Sequence, residues 1–552
     1  MTSVLFISFH ILLYLLGRGF VLALSKIIKL KFGIENTFIG NLGINYYYPI
    51  IALFVIGNLT VFINFFSPVN TIYIKILFVI FLSINLLDLK FVFDRDYVVN
   101  LGIIPFILSI SSYGINIAQD AGLYHLNVQS WIREEKIHFG LSNIHSRYGY
   151  SSLFDYISSN FWLDNNFLLI HFINLTFIVL FFAFIYKNLF LKENVFLKNL
   201  SILVIIFGIL DNLGLSGGKN GFIDIEAVTK YDTPFAIIYF ITGCLIINNI
   251  FNSDYEILPL TIILYLLIFA IQLRIFGVTL IPLFLILSGR VLKKYGLIKL
   301  LRPALVPVVF IFLWIIKNIL ITSCLFFPVE ELCFQSLPWS DVSSAGIESG
   351  DLKNFHIFFS LDQNFGSWLN SWLSKPINYT TSINYLISTL FLVLFNFVIY
   401  KKSPTRKKSF DYLLVLLCIA TSYLVWILSA PGIRFGLGLF LLSLSLISIQ
   451  YNGSQERLSL NDNLKNITLR FLFLVCILLV TRLDAYSSFS DSFEKTIQIT
   501  PTNISYIDNP LGWGVIPEDA KSSCWVNIEC MPESRRISKV TGRYNYFVNL
   551  DS

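Results

Sequence analysis

Charged residues are scarce in this chain of 552 residues. Lys, Arg, Asp and Glu together make up 13% of it, whereas 55% of the residues are hydrophobic and the mean hydropathy is +0.71. A soluble domain of this size needs a far larger charged surface. The composition therefore excludes a soluble globular protein and indicates an integral membrane protein.

Several sequence patterns are also missing. We find no GxxxxGK[ST] phosphate loop, no residue spacing typical of a zinc site, and no alternating segments of ~10 residues typical of a β-barrel. The net charge is only +6, and most basic residues lie in short stretches between apolar runs. These observations argue against a nucleotide-binding loop, a zinc domain, a barrel and a nucleic-acid partner. The first apolar run follows Thr2 and Ser3 without a basic segment, so we expect a retained span rather than a cleaved signal peptide.

What the chain does contain is a series of long apolar runs. Most are roughly 17–25 residues long, the length at which a helix crosses a hydrocarbon core of ~30 Å. Backbone groups in lipid must bond internally, so such runs form helices. We predict an all-α polytopic protein with about fourteen spans: 4–24, 47–66, 71–88, 101–118, 167–186, 199–213, 234–250, 257–272, 276–289, 303–321, 382–400, 411–429, 434–450 and 467–483. The short runs 257–272 and 276–289 have a re-entrant hairpin as their alternative.

Four basic clusters determine the predicted orientation. They follow the first, fifth, ninth and eleventh spans, and with this span list all four fall on one side. The positive-inside rule makes that side cytoplasmic, so both termini and the long loops are expected on the extracytoplasmic side. The clusters are Lys26, Lys29 and Lys31; Lys187, Lys192 and Lys198; Arg290, Lys293, Lys294 and Lys299; and Lys401, Lys402, Arg406, Lys407 and Lys408.

The predicted spans divide the chain into six parts. They are N-terminal transmembrane helices (1–118), a first extracytoplasmic loop with interfacial helices (119–166), central transmembrane helices (167–321), a second large loop (322–381), C-terminal transmembrane helices (382–483) and an extracytoplasmic tail (484–552). The tail is polar and rich in turn residues, so we expect it to pack over the outer mouth.

The seven cysteines agree with this division. Three fall inside spans, where they serve as small apolar residues: Cys244, Cys418 and Cys476. Four lie at or beyond the outer surface, where disulfides are permitted: Cys324, Cys333, Cys524 and Cys530. We expect a disulfide within this set, but three pairings are compatible with the sequence.

The first outer loop carries the strongest candidate for chemistry. Asp120 directly follows the fourth span, so its carboxylate is expected at the membrane–water boundary. A helix beginning near Ala121 places Asp120, Tyr124, Asn127 and Trp131 along one face, and it resembles a short helix lying flat on the bilayer. Partial desolvation at that depth favours general-base catalysis. The alternative is that Asp120 is the N-cap of this helix.

Three arginines are candidate partners for an anionic substrate: Arg147, Arg274 and Arg434. Arg434 lies in a very short turn between two spans, and Arg274 lies in an even more apolar stretch. An arginine held there needs a phosphate or carboxylate partner unless it snorkels to the headgroups. Weaker candidates of the same kind are Lys219, Lys230 and Lys317.

Three histidines lie in the first outer loop: His125, His138 and His145. With Asp120 they have the donor atoms for a metal ion, but their spacing matches no ligand motif. Hydrogen bonding is the favoured interpretation. We predict no metal site and leave a divalent cation open as a cofactor.

Six segments occur in a characteristic order from about residue 100 onward. They are 120–125 (DAGLYH), 143–149 (NIHSRYG), 231–234 (YDTP), Lys317–Asn318 with Pro328 and Cys333, 430–435 (APGIRF), and Cys524–Trp525 with Cys530. In this order they resemble a group of bacterial multi-pass proteins associated with surface-polysaccharide clusters. The Asp that directly follows a span resembles the C-type (GT-C) membrane glycosyltransferase superfamily. Here four spans precede the acidic loop, where many members of that superfamily have one.

The resemblance implies a GT-C-like fold in the bacterial inner (plasma) membrane and a role for each matching residue. Asp120 would be the base that deprotonates an acceptor hydroxyl, and Arg434 or Arg274 would stabilise the departing phosphate. Substrate binding would involve Tyr124, His125, His145, Arg147 and Asp232.

The resemblance also implies the substrates. We expect a glycosyltransferase that moves a sugar from a polyprenyl-phosphate donor to a glycan or lipid-linked acceptor, with membrane lipid around it. One alternative is a polysaccharide polymerase or ligase that uses the same substrates. The other is a transporter or flippase of a lipid-linked glycan. A transporter is expected to carry polar or broken residues in the middle of spans, in corresponding halves.

Overall fold

The structure is a computed structural model that describes residues 1–28, 38–39, 42–70, 72–87, 98–190, 194–214, 222–252, 255–399, 409–450, 462–492, 494–519, 523–532, 534–541 and 545–550. It is mostly helical. Several residues of the sequence predictions lie outside the described residues: Lys29, Lys31, Lys192, Lys219, Lys401, Lys402, Arg406, Lys407 and Lys408.

The α-helices of the described residues follow one another as α1 (Thr2–Ile28), α2 (Tyr48–Asn64), α3 (Ile72–Ile84), α4 (Ile104–Ser109), α5 (Leu126–Glu134), α6 (Leu153–Ser158), α7 (Leu168–Leu189), α8 (Val195–Asn212), α9 (Asp232–Asn252), α10 (Ile257–Leu273), α11 (Ile281–Tyr295), α12 (Leu297–Thr322), α13 (Val342–His356), α14 (Phe365–Leu373), α15 (Pro376–Ile399), α16 (Ser409–Ser429), α17 (Ile433–Ile449), α18 (Asp462–Thr481) and α19 (Leu483–Ser492).

Within the described part of the chain, ten helices are long and apolar enough to cross a membrane. Four further apolar helices are shorter, namely Ile72–Ile84, Val99–Gly114, Ile257–Leu273 and Ile433–Ile449. Each predicted span falls on one of these fourteen helices, ten long and four short. The many-helix membrane class is therefore supported, while the count of fourteen spans stays a prediction.

Helix α9 lies at the centre of the bundle, and α17 packs closely along it. Every residue from Asp232 to Phe251 is buried. A Cβ at Gly438 would lie 2.8 Å from the carbonyl oxygen of Ala236, and one at Gly243 would lie 2.6 Å from Leu442. Small residues allow helices to approach this closely in a membrane protein. The two contacts show that α9 and α17 run in the same direction, so their first residues lie at the same end of the bundle.

Helices α10 and α11 form a hairpin that runs the full length of α9. At its tip, Arg274 is ion-paired with Asp232, the first residue of α9. At its base, Arg290 donates a hydrogen bond of 2.9 Å to Tyr255 and one of 3.5 Å to the Ile250 carbonyl, near the last turn of α9. A re-entrant hairpin that turns back at mid-depth would leave Arg274 far from Asp232. These contacts show that the hairpin reaches both ends of α9.

The ends of the helices separate into two faces. The first is the basic-loop face. It carries the helix ends next to the predicted cytoplasmic clusters, as far as the structure describes those segments. The second, which we call the site face, carries the long loops and the start of α9. Contacts that join helix ends on the basic-loop face are Lys187 with the Tyr46 ring at 6.0 Å, Asn194 with Asn248 at 2.7 Å, Lys294 with Glu256 at 2.8 Å, and Gln450 with Tyr412 at 3.1 Å.

The tail packs on the loops of the site face, and two of the three strand pairs of the described residues lie in the tail. The chain is therefore not purely α. The antiparallel pairs of the described residues are Phe38–Ile39 with Leu42–Gly43 (β1, β2), Tyr506–Asp508 with Val515–Pro517 (β3, β4), and Ile537–Val540 with Tyr546–Asn549 (β5, β6). The Thr2 hydroxyl donates a hydrogen bond of 3.2 Å to the Lys495 carbonyl. The N-terminus therefore lies beside the start of the tail.

Two disulfides are formed on the site face, Cys324–Cys333 and Cys524–Cys530. The sequence was compatible with three pairings of these four cysteines, and the structure selects the pairing of the nearest neighbours. The three cysteines predicted inside spans are free and buried in helices: Cys244, Cys418 and Cys476.

The helix predicted after Asp120 is present, but its interfacial position is wrong. A π-helical turn at Ala121–His125 continues directly into α5. All residues from Leu126 to Ile132 are buried, because the tail and α6 cover the helix. The Asn127 amide donates to the Asn527 carbonyl, and Trp131 packs edge-on against Phe547 at 5.8 Å. A hydrophobic face that was expected to meet lipid instead meets the protein.

Candidate functional site

A cavity of about 1380 Å³ opens on the site face. It is bounded by the start of the loop 119–166, the segment before α9, the tip of the α10–α11 hairpin, the loop 322–381 and the turn before α17. Seven of the eight predicted site residues line it: Asp120, Tyr124, His125, Arg147, Asp232, Arg274 and Arg434. The structure therefore brings together residues that are more than 300 positions apart in the chain.

A carboxylate flanked by two arginines lies on one side of the cavity. Asp232 is the first residue of α9 and is 6% exposed. Its Oδ1 pairs with Arg274, and its Oδ2 lies 3.7 Å from Nε of Arg434. One carboxylate offsets only one of two guanidinium charges, so this cluster carries excess positive charge. An anion that enters the cavity will be attracted to it.

Both arginines contact Asp232 and the Phe435 ring, which lies 4.9 Å from the Arg434 guanidinium, but they differ in exposure. The guanidinium of Arg274 lies 4.1 Å from the Phe435 ring and 5.7 Å from the Tyr231 ring. Its side chain is 22% exposed, whereas that of Arg434 is 47% exposed. Aromatic contacts and the ion pair fix Arg274 in place, because cation–π and ionic interactions act together on a planar group. Arg434 is the arginine that remains accessible to a ligand.

A second carboxyl group supports the start of α9. Oε2 of Glu226 accepts a hydrogen bond of 2.9 Å from the backbone N–H of Thr233, and the Thr233 hydroxyl donates to the Asp224 carbonyl. Burial, and then the nearby charge of Asp232, raise the pKa of Glu226 to about 8. The hydrogen bond to Thr233 nevertheless ties Glu226 to the first turn of α9. Glu226 therefore helps to determine where Asp232 lies.

Asp120 lines the cavity beside Lys230, which lies two residues before Asp232. Its Oδ2 lies 3.8 Å from Nζ of Lys230, and the two side chains are about one-third exposed. Asp120 occupies the N-cap position of the turn at Ala121–His125, yet its side chain makes no capping hydrogen bond. The capping interpretation of Asp120 is thus not supported by its contacts. A parallel bridge between Ile117 and Val228 holds the two segments side by side.

Arg147 connects the two long loops. Its Nε lies 3.6 Å from Oε1 of Glu348, a residue of α13, and its guanidinium lies 5.8 Å from the Tyr124 ring. Glu348 also accepts hydrogen bonds from the hydroxyls of Ser146 at 2.8 Å and Tyr150 at 3.1 Å. Burial raises the pKa of Tyr124 well above its usual range, so its phenol stays protonated and can donate to a ligand.

His145 is the predicted site residue that the structure places elsewhere. It does not line the cavity, and its ring packs edge-on against Tyr148 at 5.4 Å. Burial, followed by the charges of Arg535 and Arg147, lowers the pKa of His145 to about 3, so the ring is neutral. His138 is also remote from the cavity and packs against Trp131 at 5.0 Å. Among the described residues, no group of three or more His, Cys, Asp or Glu could hold a metal ion.

Sequence reasoning missed the residues that line the cavity from the loop 322–381, two of which carry polar groups close to the predicted site. One is Glu348, and the other is His356, the last residue of α13, whose ring packs against Phe435 at 4.8 Å. Burial, and then the charge of Arg434, lower the pKa of His356 to about 4. Neither residue belongs to a motif. Only the fold brings Glu348 within hydrogen-bonding distance of Ser146, which is 202 positions away.

The tail supports the Asp120 wall from behind. The Trp525 backbone N–H donates to the Gly122 carbonyl at 2.8 Å, and a Cβ at Gly122 would lie 2.8 Å from the Trp525 ring. The Asn143 amide donates to the Phe547 carbonyl at 2.7 Å and to the Trp339 carbonyl at 3.1 Å. The disulfide-closed loop of Cys524 therefore holds the first turn of the helix that follows Asp120.

The chain was compared with known proteins. No curated protein matches the chain. A family model described as a domain of unknown function, DUF8201, matches residues 1–441. Because this match covers most of the chain, the protein belongs to the DUF8201 family.

Proposed function

We propose that this protein is a membrane glycosyltransferase that moves a sugar from a polyprenyl-phosphate donor to a glycan or lipid-linked acceptor. The observation that supports this proposal best is the cavity itself, which has a carboxylate wall around Asp120 and an arginine wall around Asp232. Pockets for ordinary small ligands are about 300–1,000 Å³. At about 1380 Å³ this cavity has room for a donor head and an acceptor together.

The arginine wall suits a phosphate that leaves during the reaction. Transfer to an acceptor oxygen breaks the bond between the anomeric carbon and the phosphate oxygen, so negative charge develops on the phosphate. Preorganised cations lower the energy of that state. We assign the direct contact to Arg434, which is the more exposed arginine, and a supporting role to Arg274, which Asp232 and Phe435 hold in place.

The part of the cavity around Asp120 suits the acceptor. Asp120 and Lys230 offer an acceptor and a donor of hydrogen bonds side by side, which is the combination that binds a sugar hydroxyl. The proposed transfer inverts the anomeric carbon, because the acceptor oxygen attacks the face away from the leaving phosphate.

The proposed location is the bacterial inner membrane, with the site face and both termini on the extracytoplasmic side. The shared basic-loop face supports this orientation, because basic loops stay in the cytoplasm. The two disulfides on the site face agree with it, since disulfides persist outside the cytosol.

Replacing Asp120 by Asn in the native host tests the proposal. We expect loss of the surface glycan, normal protein levels and accumulation of lipid-linked intermediates in the outer leaflet. The matched control is Asp164→Asn, the same change in the same loop at an exposed residue outside the cavity, and it should leave the glycan unchanged. An unaltered glycan in the Asp120 variant would remove this residue from the mechanism. Intermediates confined to the inner leaflet would instead indicate a flippase.

Arg434 offers a second pair of variants. Arg434→Gln should reduce product strongly, because the phosphate loses its cation, whereas Arg434→Lys should retain part of the activity as a point charge. Equal activity of the two variants would contradict the assignment of the phosphate to this wall.

A further inference from the structure

The wall that carries Asp120 also contains a buried histidine–carboxylate pair. Nδ1 of His125 lies 3.3 Å from Oδ1 of Asp155, and the two side chains are 5% and 3% exposed. Asp155 belongs to α6, where its Oδ2 accepts from the backbone N–H of Ser152 at 3.1 Å and completes a capping box. Its position is therefore fixed by the start of that helix.

The hydrogen bonds around Asp155 determine which nitrogen of His125 carries the proton. The Trp162 indole can only donate, and it donates to Oε1 of Gln129 at 2.9 Å. The amide nitrogen of Gln129 therefore faces Asp155 Oδ1 and donates to it at 3.3 Å. With donors on both oxygens, the carboxylate is an acceptor, so His125 Nδ1 carries the hydrogen and Nε2 is left with a lone pair.

His125 presents this lone pair at the cavity. The residue lines the cavity wall, and its ring is clamped between Tyr124, at 4.1 Å between ring centroids, and Tyr231, at 5.5 Å. Since Nδ1 is committed to Asp155, Nε2 is the ring nitrogen that remains for a ligand. Two aromatic neighbours and a buried carboxylate give the ring a single orientation, which is what a proton acceptor requires.

Asp120 is a weaker candidate for the same task. Its carboxylate is one-third exposed to solvent and lies 3.8 Å from the ammonium of Lys230. The Lys230 ammonium lies against this oxygen and competes with a hydroxyl proton for it. Asp155 instead lies behind His125 and orients the imidazole through Nδ1, so that Nε2 is the nitrogen placed to receive a hydroxyl proton.

We propose that His125, oriented by Asp155, accepts the proton of the acceptor hydroxyl while Asp120 and Lys230 bind that hydroxyl. This inference rests on the proposed function. As the oxygen–anomeric carbon bond forms, the hydroxyl proton passes to Nε2 of His125. The bond to the phosphate oxygen breaks, and its electron pair leaves with the phosphate. The imidazolium then returns the proton to water through the open cavity. In this scheme Asp155 is a positioning residue.

Three variants in the native host test the scheme, with surface glycan per unit of membrane protein as the readout. His125→Gln is expected to reduce the rate of glycan formation about 10²–10⁴-fold, the typical contribution of a general base. Asp155→Asn is expected to cause a loss of similar size, because its amide donates to Nδ1 and leaves a hydrogen on Nε2. The control is His138→Gln, which removes another buried histidine of this loop that does not line the cavity.

Chemical rescue separates a base from a structural residue. In His125→Ala cells, imidazole in the medium should enter the vacated space and restore glycan synthesis at least tenfold over the untreated variant. Asp120→Ala should not respond to imidazole. If Asp120→Asn abolishes the glycan while His125→Gln retains it, the proposed function stands and this assignment fails. If neither variant changes the glycan, the proposed function itself fails.

The tautomer can be measured without any substrate. In purified protein labelled with 15N-histidine, the resonance that disappears in His125→Gln should show a protonated Nδ1 and an unprotonated Nε2. Asp155→Asn should move that resonance to the other tautomer, provided that thermal unfolding confirms a folded variant. A protonated Nε2 in the unaltered neutral protein would overturn the assignment.

Discussion

The contact between Gly122 and Trp525 allows a prediction with a definite size. Gly122 lies two residues after Asp120, and Trp525 lies in the tail loop closed by Cys524 and Cys530. In Gly122→Ala the added methyl would lie 2.8 Å from the indole ring and 3.0 Å from Cβ of Ser523. Ordinary van der Waals contact is 3.4–4 Å, so the indole has to move away from the helix.

The expected cost follows from this overlap. Adding a methyl group to a packed contact costs about 1–3 kcal/mol. The greater helix propensity of Ala does not offset the cost, because residue 122 is helical whether or not the tail is docked. At 1.4 kcal/mol per factor of ten, the undocked fraction of the tail rises about 5–150-fold.

Limited proteolysis of the purified protein in detergent measures this fraction. Trypsin can cut after Arg535 and Lys539, and its rate follows the open population when opening is fast relative to cleavage. We expect the rate of tail cleavage to rise by the factor given above. The control is Gly289→Ala, where the added Cβ meets no atom within 4 Å.

Two results would refute the reasoning. An unchanged cleavage rate in Gly122→Ala would mean that Trp525 does not pack on this glycine. A rate that rises equally in the Gly289 control would point to a general loss of stability. If the tail does hold the helix that follows Asp120, Gly122→Ala should also lower glycan synthesis.

Three further predictions concern the surroundings of the site. The pKa of Glu226 is raised from 4.5 to about 8 in the folded protein. Between these two pH values the folded state therefore binds more protons than the unfolded state. The free energy of unfolding should fall as the pH rises through this range. Glu226→Gln should flatten that dependence in thermal unfolding followed from pH 5 to pH 8. The Lys317 ammonium donates to the Ser151 carbonyl at 2.6 Å and to the Ser151 hydroxyl at 3.0 Å, and Lys317→Met removes both hydrogen bonds. This change should lower the free energy of unfolding by about 1–3 kcal/mol, measured by denaturant unfolding. Replacing both Cys524 and Cys530 by Ser should speed tryptic cleavage of the tail, whereas an unchanged rate would show that the disulfide does not support docking.

Much of the helical framework could be predicted from the sequence. Long apolar runs predict segments that are buried in lipid or in protein. Each predicted span coincides with an apolar helix. Basic clusters indicate which helix ends share a face, and the contacts of Lys187 with the Tyr46 ring and of Lys294 with Glu256 agree with them. These features depend on local composition, so no knowledge of packing was needed to find them.

The candidate site could be predicted only in part. Charged residues in apolar surroundings need partners, and this reasoning led to Asp120, Arg274 and Arg434, all of which line the cavity. The same reasoning could not find Glu348 or His356. They lie on a helix within a long loop, and the sequence of such a helix does not predict which part of the protein it packs against. The burial of α5 was also missed, since its apolar face fits lipid and protein equally well.

The sequence by itself determined the class of the protein, because backbone groups in a hydrocarbon environment have no partner other than their own helix. It also determined which residues are costly to bury without a partner. Only the tertiary structure decided which residues those partners are. The parallel packing of α9 and α17 through Gly438 places Asp232 beside Arg434, and the docking of α6 places Asp155 behind His125. Such pairings depend on contacts between segments far apart in the chain, and those contacts are made only when the helices have packed.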